Sequence, residues 1–177
     1  LREDTKWAKA GYEIAFGQEI YVVDGQEKAC HQGHLEVIHG DVNIGVRTET
    51  AFAMFSRQEG GMISLVYAGK EYVTRVPGIS YWRATTDNDR GMKAGVIGSQ
   101  WLAASIGQRH LPELFSMEER ENDVVLHFYH ETASIPVFRT ETVYTVDQDG
   151  SVAVSVRYPG VAGLPHLPVF ALDMKFK

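Results

Sequence analysis

Cysteine is nearly absent: Cys30 is the single thiol in 177 residues, so no disulfide can form within the chain. Nothing in that usage marks an oxidising compartment, and the expected location is the cytoplasm. Long apolar runs are missing too. None approaches the roughly 18 residues of a membrane-spanning helix, and Leu1-Arg2-Glu3-Asp4-Thr5-Lys6 leads into no apolar stretch of the kind a secretion signal has. Positive charge is sparse and scattered. Lys and Arg number 17 against 23 Asp and Glu, the formal net charge is -6, and no two Lys or Arg residues adjoin. Nucleic acid and anionic membrane both require clustered positive charge, so neither is an expected partner. There is no Asn-x-Ser/Thr site, no Gly-rich phosphate cradle and no G-x-S-x-G nucleophile motif.

What remains is ordinary in composition, 44% hydrophobic and 23% charged, and long enough for one full core or one domain plus part of another. Period-two alternation dominates. Met62 to Tyr67 and Val124 to Tyr129 are apolar runs of strand length. Phe138, Thr140, Thr142 and Tyr144 alternate with Arg139, Glu141 and Val143. Asp147-Gln148-Asp149-Gly150 then turns the chain, and Val152, Val154 and Val156 alternate on the way back. This pattern predicts a β-hairpin. Glycines and Pro77-Gly78 punctuate at the spacing of a multi-stranded sandwich. Only Ser99 to Ile106 reads as helical, with Ser99 as its N-cap and Trp101 and Leu102 in its first turns. The expected fold class is all-β. A boundary is placed between Val23 and Leu35, where Asp24-Gly25-Gln26-Glu27-Lys28 interrupts the alternation, giving a segment 1–24 and a domain 25–177. Strand-like sequence at both ends predicts a piece of something longer.

Several groups are candidates for chemistry. Cys30, His31, His34 and His39 could supply zinc ligands, but adjacent residues point apart in extended chain and no second cysteine pair closes a tetrahedron, so no metal is expected. His127 and His130 lie three apart in a strand, on opposite faces, and do not form a chelating pair. His110 and His166 have no partner visible in sequence. The densest stretch is Tyr81-Trp82-Arg83-Ala84-Thr85-Thr86-Asp87-Asn88-Asp89-Arg90-Gly91, followed by Trp101. Glycoside hydrolysis needs two carboxyls on opposite sides of a sugar, about 5–9.5 Å apart, and neighbours such as Asp87 and Asp89 on one loop do not flank a ring. Their expected role is to organise the loop and pair with Arg83 or Arg90, with Asn88 in a tight or left-handed turn and Gly91 as a hinge. Trp82 is read as core. Trp101 stays open between core and a stacking platform for a sugar.

The Tyr81–Gly91 stretch closely resembles the F/Y-W-R-A-x-x-D-N-D-x-G signature in the C-terminal region of glycoside hydrolase family 2 β-galactosidases, in the T-T-D-N-D-R-G form of bacterial enzymes whose C-terminal part is sometimes a separate small chain. Asp4-Thr5-Lys6-Trp7-Ala8 through Gln18 resembles the strand that closes the family's preceding immunoglobulin-like sandwich, with Tyr12 where histidine is usual. Phe55 to Leu65 and Gly163-Leu164-Pro165-His166-Leu167-Pro168 are further similar pieces. The resemblance implies that 1–24 is the tail of that sandwich, and that 25–177 is the first part of an antiparallel supersandwich of the galactose-mutarotase-like type. It implies a retaining hydrolase of terminal β-galactosides whose catalytic glutamates lie in an upstream (β/α) barrel. Magnesium, and sodium where present, would be bound elsewhere in the parent, which is expected to be oligomeric. The partners would be the barrel and sandwich domains, or a large subunit, and the galactoside. Asp87, Asn88, Asp89, Arg90, Gly91 and Trp101 would border the active-site mouth without catalysing. The alternative is a carbohydrate-binding or epimerase-like module of the same type, for which His127 or His130 with Glu141 is the available pairing.

Overall fold

Alternating apolar and polar side chains become antiparallel sheet in the second of two units into which the chain divides, Leu1–Cys30 and His31–Lys177. The computed structural model describes residues 1–13, 33–91 and 98–177. In the first unit, Asp4 accepts from the Ala10 amide at 2.8 Å and from Lys9 at 2.6 Å, while Trp7 and Tyr12 meet edge to face. The expected strand running through Gln18, the Asp24–Lys28 linker, and Cys30 and His31 lie outside the described residues.

The second unit opens with a five-stranded meander: β1 (Glu36–His39), β2 (Asn43–Arg47), β3 (Ala51–Ser56), β4 (Gly61–Tyr67) and β5 (Lys70–Glu71), neighbours in space as in sequence. β6 (Val73–Ser80) follows, and the described residues then include the helices α1 (Asp87–Gly91) and α2 (Ser99–Ile106). The next strands are β7 (Arg109–His110), β8 (Ser116–Glu119), β9 (Asp123–Glu131), β10 (Arg139–Asp147) and β11 (Val152–Arg157), with a 3-10 turn at Pro112–Leu114 between β7 and β8. They form a second sheet in the order β11-β10-β9-β7, and β8 also pairs with β9. β12 (Ala171–Phe176) returns to β6 as a two-stranded ribbon. Every ladder among the described residues is antiparallel. The all-β expectation holds, and the hairpin forms with Tyr144 opposite Val154.

The two sheets face each other across a core of Ile44, Val46, Phe55, Met62, Leu126, Phe128, Tyr144 and Val146. Its centre is aromatic. Phe55 lies 5.2 Å from Tyr144 and Phe128 lies 5.7 Å from Tyr144 between ring centroids, both edge to face, the arrangement the ring quadrupole favours. On β10, Thr140, Thr142, Tyr144 and Val146 point into the core, so Arg139, Glu141 and Val143 point out, as period two requires. A second core sits beside the first: Ile79, Tyr81, Trp101, Ala104 and Phe138, flanked by Trp82, Tyr158, Leu164 and Leu167. β6 serves both, with Val73 in the first and Ile79 in the second.

Helix α2 occupies the span its sequence predicts, but Ser99 is not the N-cap. Gly98 holds that position without a side-chain bond, because Ser99 has already entered the helix. The hairpin tip shows why turn chemistry matters. Gly150 has φ +85°, donates its N–H to the Asp147 carbonyl at 2.9 Å, and lies where a Cβ would stand 2.8 Å from Thr50 Oγ1 and 2.9 Å from Ala51 Cβ. The tip therefore packs on the first sheet. Gly69 has a similar φ of +76° but open space around it. Gly69→Ala is expected to cost about 1–2 kcal/mol of left-handed backbone strain. Gly150→Ala should add about 1–3 kcal/mol of overpacking to that, and urea denaturation of the two variants measures the difference.

Candidate functional site

The Tyr81–Gly91 segment leaves the end of β6 on an aromatic anchor. Tyr81 is fully buried, with ring centroids 5.4 Å from Phe138 and 5.9 Å from Trp101. Its amide donates to Ser105 Oγ at 2.9 Å, and its hydroxyl donates to Thr140 Oγ1 at 3.3 Å. Burial pushes the Tyr81 phenol up to about 12. From α2, Ser105 donates to the Trp101 carbonyl at 2.8 Å, and Gln108 beyond the helix donates to the Ile79 carbonyl. Strand end and helix are thus bolted together before the polar residues begin.

Those residues form a braced turn rather than an open loop. Thr86 accepts from the Asp89 amide on Oγ1 at 3.4 Å, and Asp89 Oδ2 accepts from the Thr86 amide at 2.7 Å. This is a reciprocal capping box, with aspartate in place of the usual glutamate, and it starts the single turn of α1. Arg83 grips the same carboxylate with both arms, Nη1 to Oδ2 at 2.5 Å and Nη2 to Oδ1 at 3.2 Å. The Arg83 fork, then the Thr86 amide and hydroxyl, hold the Asp89 carboxyl well below the usual carboxylate range. Asp87 pairs instead with Arg90 at 3.1 Å, on a side chain 94% exposed, where an ion pair contributes little. The expected pairing of these acids with Arg83 and Arg90 is therefore realised, and their roles diverge: Asp89 is an internal brace and Asp87 faces solvent.

The fold decides two positions on this segment that sequence leaves open. Asn88 is not in a left-handed turn but inside α1, and Ala68 is the sole non-glycine with positive φ among the described residues. The capping box dictates right-handed backbone there. Trp101 offers no platform for a sugar, since it is 0% exposed and its rings face Tyr81 and Phe138. Its Nε1 donates to the His166 carbonyl at 3.1 Å, which ties the Gly163–Pro168 stretch to α2. Trp82 is partly buried against the same core, as predicted. At Gly91 an added Cβ would meet nothing, so local packing does not demand glycine.

The histidines separate as their spacing implies. His130 turns inward beside His110, with ring centroids 5.3 Å apart, and burial first, then the His110 charge, push it down to about 4. His110 sets its Nε2 2.6 Å from the Arg57 carbonyl, a partner far away in sequence that no local pattern reveals. His127 points outward and contacts Glu141, Nδ1 to Oε1 at 2.8 Å; Tyr129 donates its hydroxyl to the same oxygen at 2.9 Å. Of the two pairings with Glu141 that sequence allows, the structure makes the one with His127. Among the described residues no three His, Cys, Asp or Glu side chains gather to hold a metal, and no helix is long and apolar enough to cross a membrane.

All-β antiparallel architecture, with an arginine-braced acidic turn mounted on an aromatic core, defines the class of structure. Comparison with known proteins defines the family. A family model described as "Beta galactosidase small chain" matches residues 47–177, and the chain belongs to that family. It is 44% identical over 180 residues to a beta-galactosidase of Clostridium acetobutylicum, covering 99% of this chain and 19% of that protein. The corresponding figures for a beta-galactosidase of Halalkalibacterium halodurans are 41%, 99% and 18%. A beta-galactosidase small subunit of Latilactobacillus sakei is 36% identical, over 78% of this chain and 49% of that subunit. The chain thus spans about a fifth of the full-length relatives.

Two pH-linked outcomes follow from this geometry. Asp89 is expected to remain ionised as pH falls through 3.8, the ordinary value, and Arg83→Ala to move its midpoint up toward 3.8, read from the side-chain carboxyl carbon resonance. Because its folded value is depressed, the brace contributes stability above 3.8 that is lost only at more acid pH. His130 likewise has its folded value below 6.5, so its neutral form contributes stability above 6.5 that is lost as pH falls toward about 4. His130→Phe should flatten the stability–pH curve in that window, measured by urea denaturation; an unchanged slope would sink the assignment.

Proposed function

We propose that this chain is a C-terminal portion of a retaining β-galactosidase of glycoside hydrolase family 2, acting on terminal non-reducing β-D-galactose in lactose-like substrates. On this reading the chain is structural and inactive alone. The hydrolytic glutamates and the principal magnesium ligands belong to an upstream (β/α) barrel, on the same chain or a large subunit of a cytoplasmic, oligomeric bacterial enzyme, and any sodium ion is bound elsewhere in that parent. Residues 25–177 form the first part of a galactose-mutarotase-like supersandwich, after the tail of an immunoglobulin-like sandwich in 1–24.

The observation that carries the reading is the braced turn within the segment matched by the small-chain family. Asp89 is fully engaged with Arg83 and Thr86, and so is unsuited to donate or accept a catalytic proton, yet it fixes the outward course of Asp87, Asn88 and Arg90. A rigid, polar projection of this kind fits a border of a sugar site built mainly by another domain. Trp101 acts beneath it as an anchor, and Gly91, at the end of the turn, is read as its hinge.

The test is hydrolysis of o-nitrophenyl β-galactoside by the chain alone, and after mixing with an upstream chain carrying the barrel and with the remaining C-terminal part. No turnover alone and recovery on mixing are expected. Arg83→Ala should lower the recovered kcat/KM by about tenfold, the scale of one lost charge-assisted contact of about 1.4 kcal/mol. Turnover by the chain alone would overturn the proposal.

A further inference from the structure

The outward face of the second sheet carries a site that the galactosidase reading does not use. Register places Tyr129, Glu141 and Arg157 in one row across β9, β10 and β11, with Glu141 directly opposite both neighbours. Around this row lies an open cavity of about 270 Å³, lined also by Leu114, Arg139 and Pro159. That is just below the roughly 300–1,000 Å³ of drug-sized ligand pockets, a scale suited to one ring.

The chemistry of the lining is specific. Glu141 Oε1 is occupied by His127 and Tyr129, which orient the carboxylate, while Oε2 makes no hydrogen bond among the described residues. Those two bonds also keep the group ionised, the His127 contact being the larger cause of its lowered pKa. Arg157 stands across the strand as a donor, and its charge acts on both Glu141 and Tyr129. Arg139 is already held by Glu131 at 3.2 Å. The groove thus presents one oriented acceptor and one guanidinium donor against the apolar surfaces of Tyr129, Leu114 and Pro159. Glu131 is shared between Arg139 and Arg109, and the two charges left to face the groove, Glu141 and Arg157, are of opposite sign, so a neutral polar ligand fits better than an ion.

We infer that the Tyr129–Glu141–Arg157 row is a binding subsite for a single neutral pyranose, separate from the braced turn. A carboxylate oxygen accepts from a sugar hydroxyl, a guanidinium donates to its neighbour, and the C–H face of the ring rests on tyrosine and proline carbon. The site holds sugar and does not transform it. It therefore rests on the structure alone and survives even if the galactosidase reading fails.

The full chain titrated with methyl β-D-galactoside, followed by amide chemical shifts, tests the inference. Saturable shifts at Tyr129, Glu141 and Arg157 are expected, with affinity reduced at least tenfold in both Glu141→Gln and Arg157→Ala. Tyr129→Phe, which removes one hydroxyl and keeps the ring, should weaken binding less; its retained spectrum controls for folding. Three results would overturn the inference: no saturable shift, shifts unaltered in both variants, or tighter binding of glucuronate or inorganic phosphate than of the neutral glycoside. The hydrolysis experiment above is independent, since it reads turnover and not occupancy of this groove.

Discussion

Burial of Tyr81 is the constraint on which the rest of the second unit depends. A tyrosine with no exposed surface must satisfy its hydroxyl internally, and Thr140 on the second sheet does so. Its ring brings together Trp101 from α2, Phe138 at the mouth of β10, Tyr158 after β11 and Phe170 before β12. Five segments distant in sequence therefore share one side chain. The polar turn that follows inherits its position from that packing, because Arg83 stands two residues beyond a point that cannot move without opening the core.

A second principle runs through both sheets: period two makes one set of residues into core and the other into surface chemistry. Along β10, inward Thr140, Thr142 and Tyr144 set the register against β9, and that register alone aligns outward Glu141 with Tyr129 and Arg157. A slip of one residue would bury the charges and expose the aromatics. The groove on the outer face is thus as firmly specified as the core, though by residues that contribute little to stability.

The polar segment shows where local and tertiary rules meet. Thr86 and Asp89 have the spacing of a capping box, which is legible in sequence, and it converts what composition suggests is a loop into one helical turn. That same turn excludes the left-handed one of the two roles, tight or left-handed, open to Asn88. Trp101 illustrates the opposite case. An indole after a loop reads equally as core or as sugar platform, and only its packing against Tyr81 and Phe138 decides the matter. Likewise the partnership of His110 with the Arg57 carbonyl spans two sheets and leaves no trace in either local pattern.

Sequence alone determined the all-β class, the hairpin with its glycine turn, the span of the helix Ser99–Ile106 and the pairing of the acidic turn with neighbouring arginines. It also carried the family, through an unusual run of residues. Each of these depends on contacts within a few positions or on a strict period, and such information is written along the chain. Tertiary structure decided which face of each strand met a partner, that β6 links two cores and pairs with distant β12, that Trp101 is sealed, and that His127, Tyr129 and Arg157 converge on Glu141. Those outcomes depend on register between strands and on the closing of long loops, where the free energy lies in contacts between residues that no local spacing relates.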